Sequence, residues 1–73
     1  MNETTLRLTE DNISTALQAG DVILGAEELG TVRSARMTVH DNGTAVIFFD
    51  GANGAHNKEI FGIPQTLTVH RKA

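Results

Sequence analysis

The chain has no cysteine, no tryptophan, no tyrosine and a single proline, Pro64. Without cysteine, no disulfide can staple the fold and no thiolate can bind zinc or act as a nucleophile. A chain of 73 residues buries only about 60% of the surface that its unfolded form exposes. It must therefore hold itself with its apolar core or share a core with a partner. Phe48, Phe49 and Phe61 are its only aromatic residues. No apolar run approaches the roughly 20 residues needed to span a bilayer, and the opening MNETTLRLTED lacks the basic and apolar regions of a signal peptide. A cytoplasmic location is expected. Basic residues are also scarce, and the net charge is −3. Residues 1–30 hold six acids against Arg7 alone, whereas residues 31–73 hold Arg33, Arg36, Lys58, Arg71 and Lys72 against Asp41, Asp50 and Glu59. The net charge gives no whole-molecule attraction to nucleic acid. The asymmetry either orients a partner or reflects pairing within the chain.

What is present is β-rich and regularly punctuated. Thr9 suits a helix N-cap, with Glu10 and Asp11 at the positive end of the dipole. Ile13, Ala16 and Leu17 follow at helical spacing, Leu8 and Ile13 form a hydrophobic staple, and Gly20 suits a left-handed stop. A short helix over residues 9–19 is predicted. Asp21 to Leu24 reads as a first core strand, and Gly25 to Gly30 as a connector. In the next strand Ala35, Met37 and Val39 share one phase of the alternation and Val32 the other, so a bulge near Arg33-Ser34 is predicted. Asp41-Asn42-Gly43 is a tight hairpin turn. A two-residue turn sets Arg36 opposite Phe49 and a three-residue turn sets it opposite Phe48; either way Met37 faces an apolar residue and Arg36 a phenylalanine. Asp50 to Asn57 is a Gly/Asn loop, Lys58 to Phe61 a short strand, and Pro64 interrupts pairing. Ile63, Leu67 and Val69 point inward, with Thr66, Thr68 and His70 outward. The whole chain, residues 1–73, reads as one small domain.

The succession GDVIL, GTVRSARMTV, a DNG turn, TAVIFFDG and LTVHRK resembles the SH3-like small barrels, including KOW-type modules. In particular it resembles the short barrel-forming proteins of unknown function of actinobacteria and their phages. The resemblance covers about residues 20–71 and implies a mainly β fold: a small barrel of about five strands, closed at one end by the short N-terminal helix. Peptide-binding SH3 domains share the outline, but their aromatic groove for polyproline needs Trp and Tyr, which are missing here, so that activity is not carried over.

No catalytic, metal or cofactor site is expected. His40, His56 and His70 with Asp41 and Asp50 lack the spacing that makes metal ligands converge. The loop DGANGAHNKE has Ala52 and Gly54 where a calcium loop needs side-chain oxygens. Gly51 and Gly54 are followed by neither a helix N-terminus nor a GK[ST] sequence, and Ser14 and Ser34 have no nucleophile signature. Consecutive phenylalanines on a strand point to opposite faces, so either both are buried, one in the barrel core and one beneath the N-terminal helix, or one of Phe48 and Phe49 lies on the outside. There, beside Arg36, it could anchor a protein contact or stack a nucleic-acid base. Arg33, Lys58, Arg71 and Lys72 are candidates for phosphate contacts. The first reading is a non-enzymatic interaction module that binds a protein partner or itself, such as a phage accessory or regulatory protein; its candidate contact residues are Arg36, Phe48, Phe49, Arg33 and Arg71. The second is a nucleic-acid-binding barrel of the KOW kind.

Overall fold

The computed structural model describes residues 2–38 and 43–71. The fold is mainly β, with two three-stranded antiparallel sheets. Strands β1 (Asn2–Leu8), β6 (Gln65–Arg71) and the two-residue β2 (Val22–Ile23) form the first, in the order β1-β6-β2. Strands β3 (Thr31–Met37), β4 (Thr44–Asp50) and β5 (His56–Gly62) form the second, a meander in chain order. Short 3-10 turns at Glu27–Leu29 and Ala52–Gly54 complete the framework. No helix among the described residues is long and apolar enough to cross a membrane.

The expected helix over 9–19 does not form; the segment is a series of turns. Asn12 accounts for this. Its Oδ1 accepts the backbone N–H of Thr9 at 2.7 Å, and its Nδ2 donates to the carbonyl of Arg7 at 2.8 Å. A side chain that satisfies nearby backbone groups in this way competes with the helical ladder. The apolar spacing still reports burial: Leu8, Ile13 and Leu17 all enter the core, and Gly20 adopts the expected left-handed conformation at φ 97°. Strand β1, not anticipated, is one of six strands among the described residues, against the expected five; its Thr4, Leu6 and Leu8 alternate inward toward the core.

The two sheets meet where the backbone of Val32 bonds to both Gly20 and Asp21, each at 2.8 Å. Strands β1 and β5 do not pair with each other among the described residues, so the expected closed barrel is instead a pair of sheets open on that side. The bulge falls where the alternation placed it, between Val32 and Ser34. It sends Val32 inward opposite Phe49 and Ser34 outward opposite Phe48. Leu8, Ile23, Val32, Ala45, Ile47, Phe49 and Val69 form the centre of the core, and Ile63 and Leu67 join from the last third as expected.

The Asp41-Asn42 part of the turn lies outside the described residues. The register on either side differs from both alternatives, because Thr38 meets Thr44, with their hydroxyls 2.6 Å apart. Met37 therefore faces Ala45, and Arg36 faces Val46 rather than a phenylalanine.

Candidate interaction face

Strand β4 divides its side chains cleanly. Ala45, Ile47 and Phe49 are buried against the first sheet, while Thr44, Val46 and Phe48 point to the outer face, as period-two geometry requires, where Val46 is covered by its neighbours and Thr44 and Phe48 are half-buried. Rows across the outer face follow from the register: Ser34–Phe48–Lys58, then Arg36–Val46–Ile60, then Thr38–Thr44–Gly62. Ser34 is small, so the β3 side of the Phe48 ring is open. Arg36, one row along, leans into that space with its guanidinium carbon 5.5 Å from the ring centroid, within cation–π range. Phe48 is therefore flanked by Arg36 on β3 and Lys58 on β5.

Between these walls lies an open groove of about 280 Å³, floored by Val46 and Phe48 and bounded by Arg36, Thr38, Lys58 and Ile60. Ile60 is 54% exposed, although it is a large aliphatic residue in the middle of a strand. Neither Arg36 nor Lys58 has a carboxylate within ion-pairing distance among the described residues. The groove thus combines an apolar floor with two uncompensated cations.

The other candidate residues lie elsewhere. Phe49 is a core residue, and Phe49→Ala is expected to cost about 3–5 kcal/mol, measured by urea denaturation. The bulge turns Arg33 toward the end of β4, where its Nε donates to Asp50 Oδ1 at 3.0 Å and its Nη2 donates to His56 Nδ1 at 3.0 Å. That hydrogen bond to the guanidinium holds the Asp50 carboxyl below its ordinary pKa. Arg71 is engaged with Asp21 through Nε at 2.9 Å and Nη2 at 2.8 Å, and its Nη2 also donates to the carbonyl of Ala16. Lys72, His40 and Asp41 lie outside the described residues. His70 pairs with Glu3 at 3.4 Å. Of these contacts Arg71–Asp21 joins a base of the second half to an acid of the first, whereas Arg33–Asp50 pairs two residues of the second half.

Sequence reasoning named Lys58 only as a phosphate contact and missed Ile60. The signal was present in the alternation of β5, which sets Lys58 and Ile60 on one face. No family model, no curated protein and no solved structure matches this chain.

Proposed function

We propose that the protein is a non-enzymatic, cytoplasmic interaction module that docks a protein segment on the outer face of β3–β4–β5. The observation that carries this reading is the groove: exposed Ile60 and half-buried Phe48 between two cations that have no acid partner among the described residues. An apolar floor with an aromatic and an arginine is the composition of an interface anchor. The complementary ligand is a segment with one large apolar side chain beside carboxylates.

The test is affinity capture from nuclease-treated lysate of the source cells, with the parent chain and Phe48→Ala compared. At least one protein is expected to be retained by the parent chain and reduced about tenfold with the variant. Phe48→Ala should remain folded, because the ring lies outside the core. Equal retention by both chains would remove the groove from the interaction.

The stacking of Arg36 on Phe48, with Lys58 directly across, also supports a second reading, single-stranded nucleic acid bound by base stacking. It predicts affinity that falls steeply with salt, and a slope reduced by about one when Arg36 is changed to alanine. Absence of binding at about 50 mM salt would end that reading. The chain's net charge of −3 places it second.

A further inference from the structure

Two large hydrophobic residues are exposed among the described residues, Leu24 at 38% and Ile60 at 54%. Ile60 belongs to the basic groove. Leu24 belongs to the turn after β2, where its surroundings have the opposite charge. Ala26 N–H bonds back to the carbonyl of Ile23 at 3.0 Å, which folds the chain over after Leu24. Glu27 Oε1 then accepts the N–H of Gly25 at 3.0 Å, which brings a carboxylate beside the residue following Leu24. The backbone N–H of Glu27 itself and then that of Gly25 hold the Glu27 carboxyl below its ordinary pKa, so it is ionised at neutral pH. Glu28, next in the chain, is exposed as well. The turn is thus an apolar knob carrying two carboxylates.

From this complementarity we propose that the groove accepts a second copy of the same chain, through its Leu24–Glu28 turn. The inference rests on the reading of the groove as a docking face. Leu24 meets Ile60, Val46 and Phe48 of the neighbour, while Glu27 and Glu28 face Arg36 and Lys58. The knob lies on the first sheet's side of the chain and the groove on the second sheet. The contact is therefore heterologous, and each bound copy leaves a free knob and a free groove. Such contacts propagate into rings or filaments unless one surface is blocked.

That property gives the test. Sedimentation velocity on the full chain, over about 10 µM to 1 mM, is expected to show an average mass that rises with concentration, the regime of weak association. Leu24→Ser removes the knob and Ile60→Thr the groove, both at exposed positions that leave the core intact. Each variant alone should weaken association about tenfold or more. An equimolar mixture of the two should form a one-to-one dimer and stop there, because one functional groove meets one functional knob. Lys58→Glu should likewise abolish assembly, and combining it with Glu28→Lys in the same chain should restore it.

A parent chain that stays monomeric at 1 mM overturns the proposal. So does a mixture that behaves like its separate components, or a variant that assembles like the parent. If a different protein is captured in a Phe48-dependent manner while the chain remains monomeric, self-docking falls and the docking face stands. If neither occurs, both readings fall. Assembly that appears only with added oligonucleotide assigns the cations to nucleic acid and also overturns self-docking.

Discussion

Arg71→Ala is expected to destabilise the fold by about 3–5 kcal/mol, the cost of leaving a buried charge without its partner. Asp21 is 1% exposed, and among the described residues its carboxylate accepts, besides the two bonds from Arg71, the N–H of Gln18 at 2.9 Å. The same guanidinium also holds the turn segment through the carbonyl of Ala16. For a domain of this size each kcal/mol moves the melting temperature by about 4–8 °C, so a loss of at least about 12 °C is expected.

The pH dependence identifies the mechanism. In the parent chain the hydrogen bonds from Arg71 outweigh burial and hold Asp21 below its ordinary pKa. Its contribution is present above the unfolded value of about 3.9 and disappears as pH falls through the lower folded value. Without Arg71, burial is opposed only by the smaller effect of the Gln18 N–H and raises the folded pKa, so protonation stabilises the variant relative to neutral pH. The gap between the two chains should be widest above about pH 5 and should narrow toward pH 3. Urea denaturation at both ends of that range checks it. A gap that does not change with pH would assign Arg71 a packing role only.

The second large effect is expected at Gly30, at the entrance to β3. Its φ of 103° and ψ of −148° lie in a region essentially reserved for glycine. A Cβ there would sit 2.1 Å from the carbonyl oxygen of Asp50 and 2.7 Å from the Cα of Gly51. These are backbone atoms of the neighbouring strand end, so no rotamer change relieves the clash. Gly30→Ala is expected to cost more than about 4 kcal/mol, in the exceptional class for a single substitution. Gly20→Ala is the control: its φ is 97°, but nothing lies within 4 Å of its added Cβ, so only about 1–2 kcal/mol is expected. Comparable losses at the two sites would mean that conformation, and not the close approach to β4, dominates at Gly30.

The parts legible in the sequence were those governed by short-range alternation. The phase fault at Val32 located the bulge, and the adjacency of Phe48 and Phe49 placed the two rings on opposite faces without saying whether either was exposed. The segment after β1 was misread because its apolar spacing is compatible with both a helix and a set of buried turns. The side chain of Asn12 decided between them. The hairpin register depended on pairing between Thr38 and Thr44, which the Asn-Gly signal does not encode. The pairing of Asp21 with Arg71 spans 50 residues of sequence, so counting charges could suggest internal compensation but could not say which arginine it would occupy. For the same reason the site residues divided as they did: Arg36 and Phe48 are brought together by neighbouring strands, whereas Arg71 is withdrawn by a distant acid.

The arrangement of the first sheet also sets an order of assembly. Strand β1 pairs with β6 from Leu8↔Gln65 to Asn2↔Arg71, so its nearest contact closes most of the chain into a loop. On an unstructured chain, closing that loop costs about 2 kcal/mol more entropy than closing the turn between β3 and β4. The β3–β4–β5 meander, local throughout, is therefore the natural nucleus, and β1 waits for the last strand to arrive. Substitutions in the meander should slow folding, whereas those along β1 should chiefly accelerate unfolding. The face that carries the groove thus belongs to the half of the molecule that forms first.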